Sequence, residues 1–322
     1  MSSLLKNDWA GLAMVCIIAT IIISLKSPAF FSALNGQVLL EAISINILIA
    51  LSQMVIIGVG QMNLSVGAIG GFAAISFAGM MEVWGISAPV AAGLAIAIGV
   101  LAGSLNGIFI VWTGVSAFVV TLATLAIFKG LNLAITEAQP FYNIPAEVGA
   151  FGNTTFFGPL PWILIPALTI VVCVNFMFNR MPLGRKLLAV GANSHAAKLS
   201  GINVSHVIIV AHCISGFLAA TAGIALVARL QLGQPTIGDD WLIMSFAAPV
   251  IGGAILAGGH VSTVATVFGV IIVALITQGL VLFKVDPYLV QVVLGALILA
   301  AVGFNRWKDI QTAKTKPGMH SG

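Results

Sequence analysis

Between Trp9 and Phe304 the chain is a succession of apolar runs separated by short breaks. They fall at roughly 9–27, 38–57, 66–81, 86–111, 115–136, 161–178, 207–228, 242–258, 262–283 and 287–304. A run of about 20 apolar residues spans the hydrocarbon of a bilayer as a helix. Only 7% of the 322 residues are charged, against about 25% in an ordinary soluble domain, so charge cannot solvate an exterior of this size. With two tyrosines and no alternating ten-residue segments, the pattern is not that of an outer-membrane barrel. The expected fold is an all-α polytopic membrane protein of about ten transmembrane helices, or eight if the short, glycine-rich third and eighth runs are re-entrant. The run after Lys6 is long for a signal sequence and no A-x-A site follows it, so it is expected to be retained as the first helix.

The few charges carry the orientation. With the N-terminus inside, nine of thirteen Lys and Arg residues fall inside: Lys6, Arg180, Arg185, Lys186, Lys198, Arg306, Lys308, Lys314 and Lys316. Glu82, Glu137, Glu147, Asp239, Asp240 and Asp286 fall outside or at the outer boundary. Cytoplasmic loops carry the Lys/Arg excess, so both termini are expected in the cytoplasm, with 305–322 a flexible tail. The net charge of +4 is therefore a topology signal and implies no nucleic-acid partner. Cys16, Cys173 and Cys213 lie singly in apolar runs and read as core or lipid-facing residues. Glu41 and Lys129 stand near the edges of apolar runs, where a charge is a functional candidate unless it snorkels to the nearer interface, the expectation for both.

The sequence has no G-x-x-x-x-G-K-[ST] loop, its five histidines have no metal-ligand spacing, and no Ser, His and Asp cluster as in a hydrolase. Neither an enzyme nor a nucleotide site is indicated, and no cofactor is expected in this chain. The longest inside loop, 179–206, has more to say. Pro182 and Gly184 stop the preceding helix and begin a new element. Asn193 or Ser194 caps a short helix that Gly201 closes in the left-handed conformation. Flanked by Arg185 and Lys198, such a helix suits docking on a soluble partner. The alternative is a plain basic loop.

At this loop the sequence becomes recognisable. The pattern G-R-x-x-x-A-x-G-x-N-x-x-A-A-x-x-S-G-I-N-V resembles the cytoplasmic coupling segment of ribose-type sugar permeases of ABC importers. It is matched at Gly184, Arg185, Ala189, Gly191, Asn193, Ala196, Ala197, Ser200, Gly201, Ile202, Asn203 and Val204. Gly60 to Gly67 (GQMNLSVG) resembles the family's G-G-I-D-L-S-V-G. Leu105-Asn106-Gly107 resembles its L-x-N-G turn, and Ala117 to Thr124 (AFVVTLAT) its P-x-F-I-V-T-L-A-T helix start. Ala247 to Gly253 with Gly258-Gly259 resembles its A-A-x-V-I-G-G…G-G run. The likeness covers about residues 40–305.

The resemblance implies one permease domain over 1–322 in a bacterial inner membrane, moving a monosaccharide or similar polyol inward by alternating access. It implies an ABC ATPase subunit holding ATP and Mg on the inside, a sugar-binding protein outside, and a second permease copy or paralogue, all at the lipid bilayer. Gly184, Arg185, Gly191, Asn193, Ala196, Ala197, Ser200 and Gly201 would couple to the ATPase. Gln61, Asn63, Ser65, Asn106, Phe118, Thr121 and Thr124 are candidates for the pathway, though residues of the kind of Phe118, Thr121 and Thr124 are more often packing elements in membrane helices. The alternatives are a branched-chain amino-acid permease and a self-sufficient secondary transporter.

Four departures stand out. Gln61 replaces a glycine, Asn63 replaces the motif's aspartate, Trp241 stands where a small polar or acidic residue is common, and His260 follows the glycine pair where glycine is common. Physically, Gly58, Gly60 and Gly67 around Gln61, Asn63 and Ser65 read either as a broken helix lining a pathway or as a tight turn. Gly99, Gly103 and Gly107 form a small-residue face, expected to pack within the chain rather than against a second copy.

Overall fold

The computed structural model describes residues 8–286 with 289–293, 295, 296, 299, 300 and 303. Within the run 287–304, residues 287, 288, 294, 297, 298, 301, 302 and 304 lie outside the described residues, and Lys6, Arg306, Lys308, Lys314, Lys316 and the tail 305–322 lie wholly outside them. The helices are α1 (Asp8–Lys26), α2 (Ala33–Gly58), α3 (Val66–Glu82), α4 (Ala88–Thr113), α5 (Ala117–Thr136) and α6 (Ala146–Asn153). They continue as α7 (Leu164–Arg180), α8 (Pro182–Ala192), α9 (Ser194–Leu199), α10 (Val204–Leu230), α11 (Trp241–Ile251) and α12 (Thr263–Leu282). A small antiparallel hairpin, β1 (Thr155–Phe157) with β2 (Leu160–Pro161), completes the 137–160 loop. Among the described residues, six helices are long and apolar enough to cross a membrane, or seven if α7 and α8, bent by 69°, count as one span. This is a multi-pass helical membrane protein.

Local sequence sets many of the boundaries. The Asn203 side chain accepts from the His206 amide at 3.0 Å to start α10, and Ser262 accepts from Ala265 at 3.3 Å to start α12. Pro89 lies in the first turn of α4, where its missing N–H costs nothing. The outer face stays apolar, with Ile17, Leu25, Leu101 and Val172 exposed as lipid-facing residues should be. Polar groups are turned inward instead. Helix α2 is buried almost along its whole length and forms the axis of the bundle, packed by α7, α10, α11 and α12.

The seam between α4 and α10 depends on the absence of side chains. A Cβ on Gly99 would strike Ala220 and the Gly216 carbonyl, one on Gly103 the His212 carbonyl, and one on Gly107 the Ile209 backbone. The small-residue face thus packs within the chain, as expected from the sequence.

The structure departs from the sequence reading between 229 and 258. That reading makes 229–241 an outside loop and 242–258 a helix. Instead, the chain leaving α10 at Leu230 turns back into the bundle as an irregular segment of successive turns along α3. Gly233 pairs with Phe141 in both directions at 2.9 Å, near the end of α3. Four residues later the Ile237 carbonyl lies against Gly71, and the Gly238 carbonyl lies against Gly67 at the start of α3. Helix α11 begins there, and its eleven residues cover about 16 Å, half of a hydrocarbon core of about 30 Å. It ends at Ile251 because the glycine-rich stretch 252–259 turns away, with Gly253, Gly258 and Gly259 at positive φ.

Four charges are placed by the packing of these elements. Asp239 is not in an outer loop: it pairs with Lys129 of α5 at 2.7 Å, so that lysine has an ionic partner instead of snorkelling. Asp240 immediately precedes α11. Glu41 does not snorkel either. It is 4% exposed, its Oε2 accepts from Arg229 Nε at 3.0 Å, and its Oε1 accepts from Gln37 at 2.8 Å. Near the same end of the bundle, Gln278 of α12 donates to Asn35 of α2.

If the α4–α10 seam is a backbone contact, Gly103→Leu should lower the stability of the purified protein by about 2–3 kcal/mol. Gly93→Leu, on the same helix with open space around it, should be near neutral. Thermal unfolding in detergent checks the pair, and equal effects would contradict the seam.

Candidate functional site

Two sites hold the residues singled out from the sequence. The first is the break between α2 and α3. Helix α2 ends at Gly58, and Gly60 (φ 75°) turns the chain back into the bundle, where α3 begins at Val66. The turn is enclosed: Asn63 and Ser65 have no exposed surface. Asn63 Oδ1 accepts from the Ser65 amide at 2.9 Å and from its hydroxyl at 2.7 Å, while Asn63 Nδ2 donates to Ser215 Oγ at 3.2 Å. Asn106 Nδ2 donates to Ser65 Oγ at 2.8 Å, tying in α4. Thr121 Oγ1 accepts from the Leu64 amide at 3.1 Å, tying in α5.

The network extends to α10 and α2. Ser52 and Ser215 share a hydroxyl contact of 2.9 Å. With its amide oriented to suit, Gln53 donates to the Asn63 carbonyl at 3.0 Å and accepts from its amide at 3.2 Å. Gln61 Oε1 lies 3.0 Å from His212 Nε2, so the larger residue at 61 has a partner on α10. Asn63 in place of aspartate supplies a donor to Ser215 that a carboxylate lacks. Two buried atoms here have no partner among the described residues: Asn106 Oδ1 and His212 Nδ1.

Of the seven pathway candidates, Asn63, Ser65, Asn106 and Thr121 thus meet, and Gln61 bonds separately to His212 of α10. Thr124 is buried, its hydroxyl donating to the Thr121 carbonyl at 3.3 Å. Phe118 stands apart, 50% exposed. Ser52, Gln53, His212 and Ser215 were missed. Their signal was available: each is polar within a long apolar run, where an unpaired group would cost several kcal/mol.

The second site is the segment from α8 to the start of α10. Gly184 lets α8 fold onto the last turn of α7, since a Cβ there would strike the Met177 carbonyl. The Asn193 side chain caps α9 through the Ala196 amide at 2.9 Å. Gly201 (φ 80°) closes it, and the Ile202 amide bonds back to the Ala197 carbonyl at 3.0 Å. Both caps are those read from the sequence. Ala197 faces the core, whereas Arg185, Asn193, Ala196, Ser200 and Leu199 are exposed, Leu199 by 78%. A cleft of about 590 Å³ beside α9 is lined by His195, Lys198, Gly201 and Asn203 among others.

The two sites touch. A Cβ on Gly191 would strike the Gly58 carbonyl and the Gly259 amide. The Gly259 amide itself donates to the Gly58 carbonyl at 3.2 Å, and Gly258 lies against the Gly60 backbone. The end of α8 is therefore in backbone contact with the breaks that follow both α2 and α11. His260 leaves this arrangement intact, because Gly258 and Gly259 take the positive φ values and the His260 carbonyl accepts from Ile255 at 3.2 Å. Trp241 is buried and packs its indole on Gly70 of α3.

Residues 37–302 match the family described as branched-chain amino acid transport system / permease component. The chain belongs to this family. It is 37% identical to a ribose import permease protein of Bacillus subtilis (strain 168), over 91% of both chains. It is 33% identical to a D-allose transport system permease protein of Escherichia coli (strain K12), over 93% of this chain and 92% of that one. A metal-chelate type ABC transporter in an inward-facing conformation has the same fold (TM-score 0.58, 16% identity), covering 91% of this chain and 97% of that one.

The bonds around Asn63 set a rank order for this permease. Asn63→Leu strands both the amide and hydroxyl of Ser65 and should cost about 2–4 kcal/mol, whereas Ser215→Ala removes one arm and should cost about 1 kcal/mol. Thermal unfolding of the two variants checks this. Equal stability of the Asn63→Leu and Ser215→Ala proteins would contradict the network.

Proposed function

We propose that this permease subunit forms the membrane pathway of an ATP-driven importer of a monosaccharide or a similar small polyol. The observation that carries the reading is the backbone contact of Gly191 with Gly58 and Gly259. It places the end of the segment that would face an ATPase against both broken spans. The sugar class is supported by relatives named for ribose and allose import at 33–37% identity. The family is described by branched-chain amino acid transport, but these two relatives over most of the chain favour a polyol, as does the coupling pattern at 184–204.

In this reading the chain is one unit that crosses the bacterial inner membrane about ten times, both termini cytoplasmic. Ten traversals arise if 230–251 counts as one broken crossing and 287–304 as the last. Hydrolysis of ATP with Mg takes place on an ABC ATPase subunit docked on α9. The exposed Leu199, Arg185 and Lys198 offer that subunit one apolar and two basic contacts. A binding protein delivers sugar at the opposite face, and a second permease copy or paralogue completes the pathway. Lipid is the remaining partner, and no nucleic acid is involved.

The residues have distinct roles. Gly184, Gly191 and Gly201 allow the close approaches and the turn; Arg185, Asn193, Ala196, Ala197 and Ser200 shape and present α9. Movement of α8 displaces Gly191 and with it both breaks. The Asn63 network is then the part that opens. Closed, Gln61, Asn63, Ser65, Asn106 and Thr121 bond mainly with each other and with α10. Opened, they offer hydroxyl and amide groups to a passing polyol, with Phe118 and Thr124 on the adjoining face of α5.

Reconstitution tests the reading. The chain alone in liposomes should move no sugar, while the chain with its ATPase, binding protein and ATP should accumulate it; uptake by the chain alone would overturn the proposal. Gly191→Leu should lower sugar moved per ATP hydrolysed by about tenfold, the effect of a coupling free energy near 1.4 kcal/mol. An unchanged ratio would remove Gly191 from the coupling route.

A further inference from the structure

A second polar feature lies apart from the Asn63 network, on the far side of the half-helix. The turn-rich segment 231–240 and the start of α11 border a cavity of about 330 Å³ against α2, α10 and α12. Its polar lining is Asn46, Arg229, Gln234, Thr236, Asp240 and Thr277. Asn46 stands twelve residues before the end of α2, about 18 Å along the helix, and hence near mid-membrane depth. Trp241, which borders the same cavity, lies ten residues before the end of α11, about 15 Å along. Glu41, which holds Arg229, is five residues above Asn46 on α2, about 7.5 Å. The cavity thus descends from the level of the Glu41–Arg229 pair to the middle of the bundle.

The bonding state of its lining is informative. The Thr277 hydroxyl is buried without a partner among the described residues. Asn46 is a partly buried amide in the middle of an apolar helix, with no hydrogen bond to any described residue among those found for the bundle. Arg229 engages Glu41 through Nε alone, leaving four further N–H donors on a guanidinium that the buried carboxylate fixes in place. Polar groups at this depth persist where they line a cavity holding something polar. Volumes from about 300 Å³ upward are those of small-molecule sites. Amide, hydroxyl, guanidinium and carboxylate groups side by side match the alternating donors and acceptors of vicinal hydroxyls, and nothing in the set selects for net ligand charge.

We propose that this cavity is a cargo site within the permease itself, recognising a neutral monosaccharide whose hydroxyls accept from Arg229, donate to Asp240 and bond in either sense with Asn46 and Thr277. Sugar released by the binding protein rests there, at the start of a half-helix whose other end reaches Gly258 and Gly259. Occupancy of the cavity and the state of the coupling segment then bear on the same eleven-residue helix. The inference rests on the sugar-import reading and on the end of the bundle near Arg229 being the outer one.

The test is epimer selectivity, because a site built from hydrogen bonds rejects a misplaced hydroxyl by leaving its own groups unpaired. Uptake of two neutral pentoses that differ at one hydroxyl is measured in liposomes holding the complete importer. Asn46→Leu and, separately, Thr277→Val should compress the wild-type ratio of the two uptake rates by roughly three- to tenfold. A loss of assembly lowers both rates together and leaves their ratio unchanged, so the Thr277→Val protein, nearly isosteric, decides if Asn46→Leu assembles poorly. Wild-type sugar uptake with the ratio untouched in both variants overturns the cavity alone. A wild-type importer that takes up no neutral sugar overturns the sugar-import reading and the cavity with it.

Discussion

Near one end of the bundle, three stretches of backbone meet with no side chain between them. The end of α2 at Gly58 to Gly60, the end of α8 at Gly191 and the turn at Gly258 and Gly259 lie in direct contact, joined by the 3.2 Å bond from the Gly259 amide to the Gly58 carbonyl. Close-packed interiors do not deform continuously, and a contact without soft side chains has little slack. Whatever shifts α8 must shift both breaks or separate from them. The polar turn 61–65 follows one break directly, and the half-helix α11 precedes the other.

The same close approach recurs through the bundle. Gly99, Gly103 and Gly107 bring α4 onto α10, and the Gly67 and Gly71 positions admit the turn-rich segment 231–240 along α3. Because an irregular segment in a membrane must find partners for its backbone, such close packing is what allows it to exist there. Around the first break, side chains supply the remaining partners. Asn63 alone satisfies the amide and hydroxyl of Ser65 and reaches Ser215. The cost of burying the Glu41 charge is met by pairing with Arg229, while the half-exposed Lys129 pairs with Asp239.

Much of this was legible in the sequence. The apolar runs located nearly every described membrane helix, because hydropathy and helix length are coupled by bilayer thickness. Asn193 and Gly201 announced α9, because their capping roles are local. The glycines at 99, 103 and 107 announced a seam but not its partner, since any helix with a small-residue face would serve. What stayed hidden was non-local. An apolar run from 242 to 258 reads as one helix, and only packing against Gly67 and Gly71 shows that a turn-rich stretch enters the bundle before a short helix, α11. Glu41 and Lys129 looked like interfacial charges because their partners are 188 and 110 residues away in the chain (229 − 41 and 239 − 129). His212 and Ser215 were visible as polar residues in an apolar helix, yet nothing local tied them to Gln61 and Asn63.

Hydrogen–deuterium exchange on the Gly191→Leu permease tests the three-way contact most directly. Faster exchange is expected in peptides covering 58–65 and 252–260 together with 182–200, because a side chain at 191 displaces the Gly58 carbonyl and the Gly259 amide at once. Faster exchange confined to 182–200, with both breaks protected as in the wild type, would contradict the contact.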